Sequence, residues 1–311
     1  TLTVLCAASP ALAWGHVRWF VDSPSEAVSF PWDGLYLAIV TGGLLYCLVL
    51  KYLTATEARC VASAYKRFPH WPSSIKPWQL MSALVGLTFI LNGINDVLLA
   101  PNLEFRSSDL LLNYAQLLTG IVLILNLSMR LGGTLILVLL LMLLFSHPLV
   151  IWVDYGFEFI GIGLCLILYR HRQLALFCLR CGLGLQLMVL AVHNKWLNPQ
   201  LGLEFLSHHP WNFMQMLGWT SFTDLAFVFS AGTAEFCFGL TLLLGWSSRL
   251  TTAIVSLFFL ITAAVLGIHE LIGHLPIIGA AIVLIVMGGG RWPGFVRAPG
   301  IVAPSLASPA Q

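Results

Sequence analysis

The sequence predicts an all-α, polytopic membrane protein, folded as a transmembrane helical bundle of about nine spans. Of its 311 residues, 59% are hydrophobic and 9% are charged, whereas globular proteins carry about 25% charged residues. The mean hydropathy of +0.90 leaves little surface for water. A spanning helix needs about 20 apolar residues, and the apolar runs here lack the alternation of a transmembrane β-barrel. This composition excludes nucleic-acid binders, soluble enzymes and disulfide-rich secreted proteins.

Nine apolar stretches are long enough, or nearly long enough, to cross a hydrocarbon layer of about 30 Å. The first is an extra N-terminal helix, and the other eight form two consecutive groups of four. The predicted spans are residues 33–53, 78–99, 111–128, 131–150, 154–169, 174–197, 224–245, 249–268 and 273–290.

The two ends of the sequence differ from these spans. Residues 1–13 resemble the end of a secretory signal, because an apolar stretch closes on Ala-Leu-Ala. The aromatic segment 14–32 is predicted to lie along the periplasmic membrane surface. Residues 292–311 are rich in proline and small side chains, which predicts an irregular cytoplasmic tail.

The basic residues provide an independent test of the topology. With segment 14–32 outside, nine spans place the C-terminus inside. Twelve of the 15 basic residues then lie inside, and three lie outside, namely Arg18, Arg106 and Lys195. Cytoplasmic loops carry such an excess of lysine and arginine. We therefore expect a bacterial inner-membrane protein with a periplasmic N-terminal segment and a cytoplasmic C-terminus, in contact with the lipid bilayer and not with nucleic acid.

Two parts of the sequence repeat each other. Residues 115–131 align with residues 234–250, with Ala, Gly, Ser, Arg and Leu recurring at one offset. In this alignment Gln116 stands opposite Glu235. Self-similarity over such distances is the signature of a repeated structural unit.

The repeat predicts two copies of a four-helix unit, one over residues 76–170 and one over residues 174–291. Each copy crosses the membrane four times, so both have the same orientation. Parallel repeats of this kind are related by an axis along the membrane normal. The predicted helix over residues 33–53 precedes the two units and belongs to neither of them.

The second unit resembles the DoxX/DoxD-like family of four-helix membrane proteins. The matching features are Ala234 followed by Glu235, a glycine one turn later at Gly239, a tight turn over residues 245–250, and Gly-His-Leu-Pro at residues 273–276. The resemblance extends weakly to the first unit, which carries Gln116 in place of the glutamate. A functional site is therefore expected in the second unit.

The resemblance implies a redox role. Members of the family are associated with membrane redox chemistry, notably as the quinone-linked subunit of thiosulfate oxidation, and with redox-stress complexes. This implies a redox-linked subunit that handles quinone or electron transfer at the periplasmic face. Its expected partners are other subunits of a membrane redox complex or a periplasmic protein. Quinone is the expected cofactor, ahead of a metal or haem.

Glu235 is the candidate catalytic residue. A carboxylate inside an apolar span is costly and usually marks function or a buried partner, and it is suited to accept a proton from a quinol. Four further polar residues within the helices are candidates for quinone binding. They are Gln116, Asn92, Asp96 and Gln186. The alternative is that these side chains only form hydrogen bonds between helices.

Histidines at the periplasmic helix ends suggest a metal site. Imidazole and carboxylate groups bind first-row metals, and paired histidines bind haem iron. The candidate ligands are His193, His269, Glu270 and His274. His269 and His274 meet a common ligand only if Gly273 and Pro276 break the helix. The alternatives are interfacial histidines bonded to loops, or a quinol pocket.

Residues 198–223 form the longest periplasmic loop and contain several aromatic side chains. An amphipathic helix along the membrane surface is one interpretation. A lid over a site, or a docking surface for a periplasmic partner, is the other.

Two functions compete with the redox subunit. One is a non-catalytic accessory or assembly subunit of a larger membrane complex. The other is a transporter for a metal ion or small solute, which the repeat favours. Against transport, the polar residues are concentrated near the periplasmic side of the spans.

Overall fold

The computed structural model describes residues 28–67, 76–100, 103 and 109–290. The signal-like residues 1–13, the first part of segment 14–32 and the tail 292–311 lie outside the described residues.

The described residues form eleven α-helices and no β-strand. A π-helical turn, Ala191–Trp196, directly continues α6. In chain order the helices are α1 (Gly34–Arg67), α2 (Pro77–Ile94), α3 (Leu110–Ile124), α4 (Met129–Ser146), α5 (Leu149–Ile167), α6 (Arg172–Leu190), α7 (Pro199–His208), α8 (Phe213–Met216), α9 (Asp224–Leu244), α10 (Ser248–Leu266) and α11 (Ile268–Met287).

Seven of these helices are long and apolar enough to cross a membrane, namely α1, α2, α4, α5, α6 with its π-helical turn, α9 and α11. Two more apolar helices, α3 and α10, are shorter. The chain is therefore a multi-pass, all-α membrane protein, and the predicted class is confirmed.

Side-chain and backbone caps set the boundaries of α9 and α10. Thr223 caps the start of α9 through its side chain, and Gly245, with a φ of 76°, ends it. At the start of α10, the Glu57 carboxylate of α1 accepts hydrogen bonds from the backbone N–H groups of Arg249 and Leu250. A carboxylate is favourable there because the N-terminus of a helix is electropositive. Helix α1, which continues well past its predicted span, thus holds one end of α10.

Glycines bring α2 close to α3 and α6 close to α9. A Cβ atom on Gly86 would lie 2.7 Å from the Gly120 carbonyl oxygen, and one on Gly184 would lie 2.7 Å from the Gly239 carbonyl oxygen. A larger residue at either position would push the two helices apart. Close backbone approach at small residues is typical of membrane bundles.

The remaining helices pack around these two pairs. Helix α5 packs along α6, where a Cβ atom on Gly182 would lie 2.6 Å from the Gly161 Cα atom, and α11 packs along α2. Helix α4 packs on α5, and α1 packs on α9. Helix α10 packs mainly against α11 and only lightly against α9. That light contact leaves space between α9 and α10.

Two buried polar side chains tie helix ends together. The buried Arg180 of α6 donates hydrogen bonds to the carbonyls of Leu242 and Leu243 at the end of α9 and to the Gly289 carbonyl. On the other helix pair, the Ser82 hydroxyl of α2 donates to a single carbonyl at the end of α3, 2.9 Å away. The positive charge of Arg180 is favourable at the end of α9, because the C-terminus of a helix is electronegative.

Helix α11 is continuous through Gly273 and Pro276, so the break that a common ligand for His269 and His274 would require is absent. Pro276 has no N–H to donate to the Ile272 carbonyl one turn earlier. The Thr88 hydroxyl of α2, 3.1 Å away, donates to that carbonyl instead. A partner from a neighbouring helix thus satisfies the freed carbonyl, which is how membrane helices tolerate proline.

Helix α2 ends at Ile94, before the predicted limit of 99. The chain then bends at Asp96, which has a φ of 55°. Leu98 and Leu99 turn inward and are buried in the main apolar core. Burial of these leucines therefore replaces the last turn of the predicted span.

Candidate functional site

A cavity of about 900 Å³ lies between α6, α9, α10 and α11, and parts of α1, α5, α7 and α8 complete its wall. We call it the central cavity. Most of its lining is apolar, and nine of the lining residues are aromatic: Phe205, Trp211, Phe213, Trp219, Phe222, Phe227, Phe238, Phe258 and Phe259. A largely apolar cleft with a few polar groups is the usual form of a small-molecule site.

Seven residues place carboxyl, amide, ammonium or imidazole groups on this wall. Gln186, Glu235, Glu270 and His274 were candidates from the sequence, and the fold brings these four to one cavity. The structure adds Glu158, Asn194 and Lys195.

Gln186 is bonded to the backbone of α5. Its side-chain oxygen accepts from the N–H groups of Phe157 and Glu158, at 3.1 and 3.3 Å. Its side-chain nitrogen donates to the carbonyls of Val153 and Asp154, at 3.3 and 2.7 Å. In a regular α-helix the N–H groups of Phe157 and Glu158 bond the carbonyls of Val153 and Asp154, one turn earlier. The Gln186 amide therefore stands within the hydrogen-bond ladder of α5 and fixes the turn that carries Glu158.

Glu158 is the tenth of the 19 residues of α5, halfway along the helix. It is 4% exposed, and its Oε2 atom has no hydrogen-bond partner. A buried polar atom of this kind normally finds a partner. Glu158 therefore presents an unsatisfied carboxyl oxygen in the middle of an apolar region.

Glu235 is paired with Lys195. The Lys195 ammonium lies 2.7 Å from each oxygen of the Glu235 carboxylate. Glu235 therefore has a charged partner at the end of α6, which is one of the two explanations for a carboxylate inside an apolar span. The π-helical turn at the end of α6 makes this possible, because it directs the Lys195 side chain toward α9.

Asn194, next to Lys195 in the same turn, is 1% exposed. Its side-chain oxygen has no hydrogen-bond partner, and the residue lines the central cavity. Single π-helical turns of this kind are frequent at functional sites.

Glu270 and His274 form a third polar group, in the first turns of α11. The Nδ1 atom of His274 lies 2.9 Å from the Glu270 carbonyl oxygen and 3.4 Å from the carboxylate Oε1. The imidazole is stacked on the Phe259 ring, with 4.5 Å between centroids. The Oε2 atom of the Glu270 carboxyl group is buried and has no hydrogen-bond partner.

Of the predicted metal ligands, Glu270 and His274 lie on the cavity wall. The His193 ring is bonded through Nδ1 to Asp154 of α5, 3.0 Å away, and does not line the cavity. The side chain of His269 lies outside the described residues. In the part of the chain that is described, no group of three or more His, Cys, Asp or Glu side chains is arranged to hold a metal ion.

Gln116, Asn92 and Asp96 lie away from the central cavity. Gln116 accepts from the Leu99 N–H at 2.7 Å and donates to the Phe89 and Val97 carbonyls. Asn92 donates to the Leu99 carbonyl at 2.8 Å.

Asp96 is exposed and lies beyond the end of α2, so it shares no helical face with Asn92. These two candidates for quinone binding therefore do not form one polar surface on α2. The buried amides Gln116 and Asn92 hold the bend that places Leu98 and Leu99 in the core.

The long loop 198–223 contains two helices, α7 and α8. Gly202, Phe205 and Leu206 of α7 line the central cavity, as do Phe213 and Met214 of α8. A helix in this loop is confirmed, and the loop covers one end of the cavity. We call that end the α7 end.

Sequence reasoning singled out Glu235 as a carboxylate inside an apolar span, and the same signal applies to Glu158. Lys195 carried no such signal, because it was assigned to a periplasmic helix end. No sequence pattern predicts that Asn194 is left with an unpaired oxygen, since that depends on the π-helical turn.

Comparisons of the chain with protein-family models, with curated proteins and with solved structures find no match. The resemblance to the DoxX/DoxD-like family therefore stays a prediction.

Proposed function

We propose that this protein is a redox-linked subunit of the bacterial inner membrane, and that its central cavity binds the head of a membrane-soluble quinol. One observation carries the proposal: three buried oxygen atoms on the apolar wall lack a hydrogen-bond partner, in Glu158, Asn194 and Glu270. A quinol brings two hydroxyl donors on an apolar body, which suits a wall of this composition. The resemblance to the DoxX/DoxD-like family points to the same class of ligand.

The carboxyl groups of the cavity provide the proton acceptors that this proposal requires. A quinol that is oxidised must release protons, and a side chain within hydrogen-bond reach accepts them. Glu158 and Glu270 each have an oxygen free for this role. Glu235 is fixed by Lys195 and contributes a charged pair to the wall. The electrons would pass to another subunit of a membrane complex or to a periplasmic protein.

The architecture in this proposal is two parallel four-helix units with nine spans. Several equivalent contacts support it. Gly86 with Gly120 and Gly184 with Gly239 pack in the same way. Gly120 and Gly239 align in the repeat described above, and Gly86 and Gly184 align when residues 95–103 are placed on the similar residues 193–201. At the same offsets, Ser82 and Arg180 both donate to the carbonyl at the end of the adjoining helix.

A third correspondence involves the contacts between the units. Thr88 of α2 bonds the backbone of α11, and at the matching position Gln186 of α6 bonds the backbone of α5. If α3 and α10 also cross the bilayer, the spans number nine. The distribution of basic residues then supports an orientation with the α7 end toward the periplasm.

Quinol binding is tested with the purified protein in detergent and decylubiquinone, before and after anaerobic reduction. We expect both forms to quench the fluorescence of Trp211 and Trp219, which line the cavity. The quench should be smaller in a variant with both tryptophans replaced by phenylalanine. We expect Glu158→Gln to change the affinity for the reduced form.

The matched control is Glu204→Gln, because Glu204 is bonded to His208 and does not line the cavity. The fluorescence quench of the unchanged protein is compared with that of the variant in which both tryptophans are replaced by phenylalanine. If neither the oxidised nor the reduced decylubiquinone quenches the unchanged protein more strongly, the cavity is not a quinone site.

Transport is a second candidate function. The positions of the polar residues in the sequence argue against it, but one structural observation favours it. Glu158 lies at the midpoint of α5, and the polar side chain of Gln186 bonds the backbone of α5 at that turn. Interrupted helices and polar groups at mid-membrane are features of secondary transporters. Uptake of a radiolabelled solute into proteoliposomes would separate transport from simple binding.

A further inference from the structure

The charges on the wall of the central cavity do not balance. Lys195 is the cation among the described lining residues, and both of its closest contacts are the oxygens of Glu235. Glu158 and Glu270 are two further carboxyl groups, and no lysine or arginine of the described wall faces them. When both are ionised, the cavity carries two negative charges that no side chain of the wall offsets.

His274 does not offset them. Its Nδ1 atom donates to the Glu270 carbonyl oxygen, and its ring is held flat against Phe259. Burial in such apolar surroundings is unfavourable for the charged form of an imidazole. His274 therefore fixes the first turns of α11 and leaves the Oε2 atom of Glu270 open to the cavity.

The rest of the wall is suited to an organic cation. Aromatic rings attract cations through their π faces, and the attraction is stronger where water is excluded. Phe205, Trp211 and Phe213 line the α7 end of the cavity, and Phe258 and Phe259 line the α10 side. A wall that combines rings with unpaired carboxyl oxygens binds both the charge and the apolar body of such a ligand.

The cavity also has a route from the bilayer. Phe258 and Ile261 of α10 line it, yet they are 51% and 50% exposed. They therefore border both the cavity and the outer surface of the bundle, where α10 meets α9. The ring of Phe258 contacts Phe238 of α9 there, with 6.1 Å between centroids. A ligand dissolved in hydrocarbon would reach the carboxyl groups sideways where these two rings separate.

We infer that the central cavity binds a lipophilic organic cation, such as an amine or phosphonium with an apolar body, whose charge is met by Glu158 and Glu270. This goes beyond quinol binding and does not depend on it. Unpaired buried carboxylates are costly, so in the empty cavity they hold protons. A singly charged cation replaces one of those protons, and binding is coupled to the release of that proton.

The test uses tetraphenylphosphonium, titrated into the purified full chain in detergent. We expect Glu158→Gln and Glu270→Gln to weaken its binding on the order of tenfold or more each, since each removes a charge that meets the ligand in a medium of low dielectric constant. The Glu204→Gln control should bind as the unchanged protein does. Decylubiquinone, which is neutral, should lose much less affinity in the same variants.

A second measurement needs no substitution. The titratable groups on the described wall are Glu158 of α5, Lys195 at the end of α6, Glu235 of α9, and Glu270 and His274 of α11. Tetraphenylphosphonium should bind more tightly as the pH rises, and a weakly buffered sample should become more acidic on binding. Protons are released because cation binding requires the ionised carboxyl groups.

Three results would overturn the inference. They are binding of tetraphenylphosphonium without proton release, unchanged affinity in both carboxyl variants, and absence of any tetraphenylphosphonium binding. Quinone quenching of Trp211 and Trp219 is read separately, so the failure of either proposal leaves the other standing.

Discussion

At the scale of single residues, the site depends on which charged groups have partners. Lys195 and Glu235 form two short hydrogen bonds, and their side chains are 14% and 30% exposed. Removing one member of a buried pair is strongly destabilising, because the other charge is left without compensation. Replacing both members removes that cost. The pair therefore gives a clear test of how well the cavity is shielded from water.

We expect Lys195→Met to lower the free energy of unfolding by about 1–3 kcal/mol. This is less than the ~3–5 kcal/mol of a fully buried pair, since Glu235 is partly exposed. The double variant Lys195→Met with Glu235→Gln should recover most of the loss. Denaturant unfolding in detergent measures all three values. A double variant as unstable as Lys195→Met alone would contradict the pairing.

At the scale of helices, the shape of α11 depends on a contact from outside it. The Thr88 hydroxyl lies 3.1 Å from the Ile272 carbonyl and 3.2 Å from the carbonyl one turn earlier in α2. Pro276 cannot make the bond to Ile272. A straight α11 keeps Glu270 and His274 on the cavity wall, so α2 contributes to the site without touching it.

We expect Thr88→Val to lower stability by about 1–2 kcal/mol, because the Ile272 carbonyl is left buried without a donor. In a Pro276→Ala background the loss should be smaller, since the substituted alanine restores an N–H for that carbonyl. Thr119→Val is the matched control, because the buried Thr119 hydroxyl bonds only a carbonyl of its own helix. Equal losses in the two backgrounds would show that Thr88 does not serve Pro276.

These helices also show what a sequence can predict. The apolar runs predict the helices and place Glu235 inside a span. The donor for the Ile272 carbonyl could not be predicted, because Thr88 is distant in the chain. The partner of Glu235 was missed because Lys195 was assigned to a periplasmic helix end, where α6 ends in a π-helical turn.

At the scale of the whole molecule, the two ends of the bundle have different characters. The α7 end carries the loop helices that cover the cavity. The opposite end carries the extension of α1 and the Arg180 contacts. Ser207 of α7 and Ser63 of α1 are exposed at these two ends. Their accessibility in cells therefore reports the orientation of the chain in the membrane.

We expect a membrane-impermeant thiol reagent to label Ser207→Cys in intact cells and to leave Ser63→Cys unlabelled. Both variants are made in a Cys60→Ser background, because Cys60 is exposed on α1. Permeabilised cells provide the control, since both positions should then react. Labelling in the reverse pattern would invert the topology and place the α7 end in the cytoplasm.

The packing of α10 has a mechanical consequence. The glycine contacts fix α2 to α3, α5 to α6 and α6 to α9, whereas α10 rests lightly on α9 and is held at its start by Glu57. Helix α10 packs mainly on α11, to which Gly267 joins it with a φ of 96°, so a tilt about its Glu57 end moves it along α11 and away from α9. The 19 residues of α10 are about 28 Å long, so a tilt of about 10° moves the Gly267 end by about 5 Å. Such a swing separates Phe258 from Phe238 while the rest of the frame stays rigid.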